Sequence, residues 1–216
     1  MFVTFTVDEP GSRRFPWVNT LLILINIAIT VKFAFRPDFH TLVQKVGFVP
    51  AHPSPIDAVT HQFLHGGWPL LVGNMTFLYM FGKMAEERLG RLNYLAAYLL
   101  CGVGAAYAYR HFCPGSTTAL IGASGAISGV AAIFFLAHPW AKMKWLFSFF
   151  GVPLFEVPSR TFFVLGLWAT VQTGMFFWPD LFQAKDTANI AWWWNAGGFA
   201  TGILLYLLMP NRNKKR

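Results

Sequence analysis

Charge is scarce in this chain. Only 12% of its 216 residues are Asp, Glu, Lys or Arg, against 55% hydrophobic residues, and the mean hydropathy is +0.46. Too few polar side chains exist to cover a water-soluble globule, so a bilayer is the solvent that the composition fits. Cysteine is nearly absent too. Cys101 and Cys113 are the two present, too few and too apolar in setting for a disulfide framework or a zinc site, and they leave the compartment unreadable. Acidic residues number nine against seventeen Lys and Arg, for a formal net charge of +8. A nucleic-acid footprint would need those cations clustered on one face or stripe. Here they sit in short connections between apolar runs, so no nucleic-acid partner is expected. No internal repeat or low-complexity tract is visible. Asp8, Glu9, Arg13 and Arg14 precede an apolar run with no small-residue cleavage site after it, so the first run is expected to remain as a span and not to be removed as a signal.

Aromatic and aliphatic residues are abundant. Aromatics make up 18% of the chain, with nine Trp, as suits amphipathic rings placed at two membrane interfaces. Apolar runs extend over Trp17 to Phe35, Trp68 to Met84, Asn93 to Tyr109, Ala119 to Ala137, Phe162 to Trp178 and Ile190 to Met209, each near the ~20 residues that a helix needs to cross hydrocarbon. The expected fold is an all-α membrane protein of six transmembrane helices, with residues 1–216 forming one domain. Residues 1–16 are a cytoplasmic N-terminal segment and 210–216 a basic cytoplasmic tail that anchors the last span to anionic headgroups.

Of the seventeen basic residues, twelve fall on the side of the termini: Arg13, Arg14, Lys83, Arg88, Arg91, Lys142, Lys144, Arg160, Arg212, Lys214, Lys215 and Arg216. Five fall opposite: Lys32, Arg36, Lys45, Arg110 and Lys185. The enrichment of Lys and Arg in retained loops puts both termini in the cytoplasm, and a bacterial inner membrane is the expected location. The long first loop, Arg36 to Gly67, then lies outside, with Gly47-Phe48-Val49-Pro50 as a packed or re-entrant turn. Asn74 interrupts the second run, and Gly and Ser interrupt the fourth. Lipid rejects such residues unless they face other helices or a wet cavity, so these two spans should be central.

The fourth run opens with Gly122-Ala123-Ser124-Gly125-Ala126-Ile127-Ser128-Gly129. A hydroxyl at a helix start sits where free backbone N–H groups can stabilise an oxyanion. Gly122 and Gly125 let another backbone or a substrate approach closely. Small residues in a membrane helix are by themselves more often a packing face, and Gly198 and Gly202 form a G-x-x-x-G face of that kind. The second run adds His61-Gln62-Phe63-Leu64-His65-Gly66-Gly67-Trp68, then Gly73-Asn74-Met75, then Glu86-Glu87-Arg88-Leu89-Gly90. His61 and His65 stand i, i+4, but a zinc protease needs the Glu of H-E-x-x-H where Gln62 stands. No metal and no cofactor are expected.

These motifs, with GFVPAH at Gly47 to His52, LGLW at Leu165 to Trp168, and AWW followed by GGF near the end, resemble the rhomboid family of intramembrane serine proteases. The resemblance runs in order along almost the whole chain. It implies a serine nucleophile at Ser124, an oxyanion-hole donor at Asn74, a loop-bracing histidine at His65, and an acid that braces a cytoplasmic turn together with Arg88. It also implies a histidine base on the sixth span, and here the chain departs from the pattern. Family members commonly read A-W-W-A-H-x-G-G-F, whereas this chain reads Ala191-Trp192-Trp193-Trp194-Asn195-Ala196-Gly197-Gly198-Phe199. A carboxamide has no titrating group near neutral pH and cannot take the serine proton. Trp194 replaces a small residue, with bulk expected to press between the fourth and sixth spans. Leu70 replaces a second oxyanion-side residue that is usually His.

The six histidines, His40, His52, His61, His65, His111 and His138, all precede the fifth run, so no replacement base exists on the last two spans. A Ser-Lys pair with Lys185 is disfavoured by its loop position. Three functions compete: an active protease that cleaves transmembrane substrates, a pseudoprotease that binds transmembrane segments without cutting them, and an engineered active-site variant. Leu70, Trp194 and Asn195 together favour the second. The expected partners are transmembrane segments and the lipid bilayer, and Ser124, Asn74 and Asn195 are expected around one cleft.

Overall fold

A computed structural model of the chain describes residues 2–8, 15–149, 152–177 and 188–209. The basic tail, Arg13, Arg14 and Lys185 lie outside them. The described elements are β1 (Phe2–Asp8), α1 (Trp17–Ala34), α2 (Phe39–Val46), α3 (Asp57–Thr60), a 3₁₀ turn (His61–Phe63), α4 (Trp68–Leu89), α5 (Arg91–Phe112), α6 (Ser124–Ala137), β2 (Lys142–Phe149), β3 (Val152–Arg160), α7 (Thr161–Phe177) and α8 (Ala188–Leu208). Six long helices thus stand where six apolar runs were read.

Two boundaries move, each for a local reason. The fourth helix starts at Ser124, not Ala119, because Leu120 pairs with Phe48 in an isolated bridge and Gly122 has φ +107°. That conformation is open to glycine and stops a helix from running backwards through it. The second helix continues past Met84 through its charged turn, since Glu86 and Arg88 are buried and engaged there. Gly90, at φ +82°, then ends α4 and caps α5, the left-handed stop that glycine provides at a helix end. At the other end of α4, Pro69 occupies the first turn, where its missing N–H costs nothing.

α6 is the hub. It is buried without a break from Gly125 to Phe134 and packs on α4, α5 and α8. A Cβ on Gly198 would run into the carbonyl of Gly125, one on Gly202 into that of Gly129, and one on Gly129 into Cys101 Sγ. The G-x-x-x-G face therefore lets α8 touch α6 backbone to backbone, the close approach that small residues permit.

At the opposite end from the outer loop, Glu86 accepts from the backbone N–H of Val18 (3.3 Å) and Asn19 (2.8 Å). A carboxylate on the free N–H groups of α1 also meets the positive end of that helix. Asn19 accepts in turn from the Tyr94 hydroxyl at 2.7 Å, and Arg88 lies 4.9 Å over the Tyr206 ring. This acid and Arg88 thereby tie α1, α4, α5 and α8 into one turn.

The strands were not foreseen. β1, β2 and β3 form an antiparallel sheet in that order, with Phe2 opposite Ser148, Asp8 opposite Lys142, and Lys142 opposite Arg160. They join the start of the chain to the connection between α6 and α7, within a fold that is otherwise helical.

The outward faces of α1 and α7 are apolar, with Leu21, Leu24, Phe163 and Leu167 exposed. Among the described residues, no helix is long and apolar enough to cross a membrane. Polar groups interrupt α1 and α4, and α6 spans 14 residues, about 21 Å.

Candidate active site

Ser124 is placed by the residues just before it. Phe48 and Leu120 exchange both backbone hydrogen bonds (3.0 and 2.8 Å), and the Gly122 N–H donates to the His61 carbonyl at 2.9 Å. The Tyr109 hydroxyl contacts Ser116 Oγ at 2.6 Å and donates to the Thr118 carbonyl at 3.1 Å. The outer loop and α5 thus hold the approach to Ser124 from two sides. The Ile127 N–H donates to the Ala123 carbonyl at 2.9 Å, which starts the helix with Ser124 in its first turn.

His65 lies behind this turn. The Ala123 N–H donates to its Nε2 at 3.5 Å, and its Nδ1 is 3.3 Å from Thr30 Oγ1. An accepting Nε2 requires the proton on Nδ1, so the ring is neutral and donates to Thr30. Burial pushes its pKa down to about 4, which keeps it so. His61 contacts the Gly102 carbonyl at 3.3 Å, and burial lowers its pKa to about 4 as well. The two imidazoles engage different helices, α1 and α5.

A cavity of about 280 Å³ opens beside Ser124 between α4, α6, α7 and α8. Leu70, Asn74, Ser124, Ser128, Gln172, Trp194 and Asn195 all line it, with apolar side chains such as Phe77 and Leu165. The residues singled out on three separate spans therefore share one space. Gly122 and Gly125 are not among its lining residues: Gly122 adjoins Leu70 and Asn74, whereas Gly125 faces α5. A Cβ on Gly122 would lie 3.6 Å from Leu70 Cδ2 and 3.7 Å from Asn74 Nδ2, and one on Gly125 would strike Ala105. Asn74 is 8% exposed, and its Nδ2 is buried without a partner.

Asn195 is buried at 5% exposure, and its amide lies 3.1 Å from Ser128 Oγ, which is also 2.8 Å from the Ser124 carbonyl. One hydroxyl carries one proton and cannot donate to both oxygens. Its proton goes to one of two acceptors, the Ser124 carbonyl at 2.8 Å or Asn195 Oδ1 at 3.1 Å. The side chain at the base position is thus tied to Ser128, which sequence reasoning read only as part of a small-residue run. Its i+4 spacing from Ser124 was the available signal. None of the cavity-lining residues is an acid, a lysine, an arginine or a histidine.

Trp194 corrects one expectation. Its ring does not wedge α6 from α8, whose backbones touch. It packs edge-on against Tyr109 of α5, with ring centroids 5.7 Å apart, and joins the cluster of Phe48, Ala106 and Leu120. The small residues of α6 leave no room for the indole, and the space under the outer loop does.

A model of the Rhomboid domain matches residues 53–212. The chain belongs to the rhomboid family, and hence is a membrane protein of a family that acts on transmembrane substrates in the lipid bilayer. Among characterised proteins, it is similar to "Rhomboid-like protein 11, chloroplastic" of Arabidopsis thaliana, with 39% identity over 148 residues, 65% of this chain and 49% of that protein. The chain spans about half the length of this curated relative. Membrane residence follows from the family, whereas the expected bacterial inner membrane gains no support from a relative with a chloroplastic name.

Proposed function

We propose that this chain is a rhomboid-family membrane module that binds transmembrane segments and is catalytically silent or strongly impaired. The observation that carries this reading is the absence of a titratable acid or base among the described residues lining the Ser124 cavity, with a hydrogen-bonded amide at the base position. Ser124 stays a neutral hydroxyl, and loss of its base partner in a soluble serine protease costs on the order of a million-fold in turnover. At about 280 Å³ the cavity holds a few side chains and not a whole helix, so a segment docks against its mouth without being cut.

Purified protein should not react with a fluorophosphonate probe, nor cleave a reporter transmembrane segment. Asn195→His alone should restore little, because Leu70 still leaves the oxyanion side apolar. Asn195→His combined with Leu70→His gives the best chance of cleavage that Ser124→Ala abolishes, and adding Trp194→Ala should gain little, since that ring packs on Tyr109. Robust serine-dependent cleavage by the unmodified chain would overturn the proposal in favour of an active protease. One observation favours that second reading: the unpartnered Asn74 amide beside Ser124, a donor suited to an oxyanion.

The same reading takes residues 1–216 as one module in which α1 and α4 to α8 cross the membrane as a group. Both termini then lie on the side richer in Lys and Arg, the cytoplasmic side. Polar side chains such as Asn26, Asn74 and Asn195 are buried between helices, and apolar ones face out. Labelling of an introduced cysteine near Lys215 only from the side of the outer loop would refute this topology.

A further inference from the structure

A second cavity, of about 400 Å³, runs between α7 and α8 on the far side of Trp168 and Gln172 from Ser124. Its walls are mostly apolar, from Phe162 and Ile203 at one end to Thr173 and Trp192 at the other, and it shares Leu165, Trp168, Gln172 and Asn195 with the first cavity. The eleven-residue step from Phe162 to Thr173 is about 16 Å of helix rise. That length matches one leaflet of a hydrocarbon core, about 15 Å. A helix about 10 Å across would displace roughly 1,300 Å³ over the same distance, so a client helix does not fit.

The lower end of this groove carries charge. Lys142 and Arg160 are directly opposed across β2 and β3, and both are exposed, with Asp8 of β1 opposite Lys142 on its other side. Like charges directly opposite destabilise a strand pair, and among the described residues the ion pair is Arg36 with Asp38, elsewhere. Arg160 is two residues from Phe162, which lines the groove. The Thr161 N–H donates to the Ala141 carbonyl at 3.1 Å, holding both cations at the same edge. Trp140, beside them, stacks on Phe162 with centroids 6.0 Å apart, the setting of an interfacial indole.

We propose that this groove is a binding site for one anionic phospholipid, its phosphate between Lys142 and Arg160 and one acyl chain between α7 and α8. The row Asp8, Lys142, Arg160 across the three strands carries a net positive charge, which favours a headgroup with net negative charge and disfavours the positive choline of a zwitterionic one. The lipid fills the space between α7 and α8, behind Asn195 and Gln172, and so sets how far α7 can lean toward α8.

Native mass spectrometry of the purified protein in neutral detergent, with phosphatidylglycerol or phosphatidylcholine of identical acyl chains, tests the site. Phosphatidylglycerol should be retained preferentially. The double variant Lys142→Gln, Arg160→Gln should lose roughly thirtyfold of that retention, since each cation near a phosphate is worth about a factor of five. Gly166→Leu, which fills open groove space next to no other atom, should reduce retention of both lipids. Glycerol phosphate, with the headgroup and no acyl chain, should not compete. Equal retention of the two lipids by the unmodified protein, or unchanged retention in either variant, or competition by glycerol phosphate, would overturn the proposal. The double variant alters exposed side chains, so a folded protein is expected for that comparison.

Discussion

Helices α6 and α8 differ sharply from α7, though all three border the same cavity. α6 and α8 meet at glycines whose missing side chains leave no space, and α5 joins them through Gly104 against Thr201 and Gly197 against Ala108. α7 is held by side chains alone: Val164 and Leu165 are buried near its start, Trp168 stacks on Phe199 of α8 in its middle, and Phe176 packs on Trp192 and Trp193 near its finish. A Cβ on Gly166 would meet nothing within 4 Å, and cavities lie on both sides of the helix. Interfaces built on backbone contact have one arrangement, because interiors this dense do not deform continuously. A helix bordered by cavities has several. The difference assigns rigidity to the wall that carries Ser124 and Asn195, and freedom to the wall opposite.

The sharpest way to break this comparison is to enlarge one glycine on each side of it. Gly198→Leu forces a side chain into the Gly125 carbonyl and should prevent recovery of folded protein, a loss well beyond the ~1–3 kcal/mol of ordinary overpacking. Gly166→Leu should leave thermal unfolding in detergent nearly unchanged, and similar losses in both would erase the distinction.

Acid should separate the outer loop from the same rigid trio. His61 and His65 are neutral when folded, with pKa values lowered to about 4, against about 6.5 in an unfolded chain. Between these values the unfolded state binds more protons, so stability is fully present above about pH 6.5 and falls as pH drops toward 4, by on the order of 3 kcal/mol for each ring. Limited proteolysis at stepped pH should cut residues 36–67 before it cuts α5, α6 or α8. His65→Gln should reduce the steepness.

A smaller effect is expected where α1 joins the bundle. Glu86→Ala leaves the Val18 and Asn19 N–H groups without acceptors and should cost about 1–3 kcal/mol, read as faster hydrogen exchange in the first turn of α1. Glu86→Gln should recover part of this.

The smallest expected effect is Ser128→Ala, at about 1 kcal/mol. It removes the hydroxyl between Asn195 and the Ser124 carbonyl while the glycine contacts remain. A loss comparable with that of Gly198→Leu would mean that the polar bridge, and not close packing, joins α6 to α8.

Much of this was legible in the sequence. Long apolar runs report helices, because a continuous helix is what satisfies every backbone group away from water. The sharing of one cavity by Asn74, Ser124 and Asn195 followed from polar residues being costly anywhere but between helices. What could not be read depended on contacts between distant residues. The direction of the Trp194 ring was set by Tyr109 and by the absence of room beside Gly125 and Gly198, none of which is visible at position 194. The strands were hidden for a similar reason: β1 finds its partner some 140 residues away. The start of α6 at Ser124 is an intermediate case. Gly122 announces a turn, but the bridge to Phe48 fixes it.

That bridge also bears on the order in which the protein can be made. Phe48 ends fully buried among residues that include Tyr109, Leu120 and Trp194, yet it leaves the ribosome well before any of them. At about 5–20 residues per second, the 146 residues between Phe48 and Trp194 take on the order of ten seconds to follow. Throughout that interval the floor on which Phe48 settles lacks Trp194. The surroundings of Ser124 are therefore among the last parts of the molecule to close, and a chain that stalls before α8 presents the quality-control machinery with an open loop whose aromatic and aliphatic side chains are uncovered.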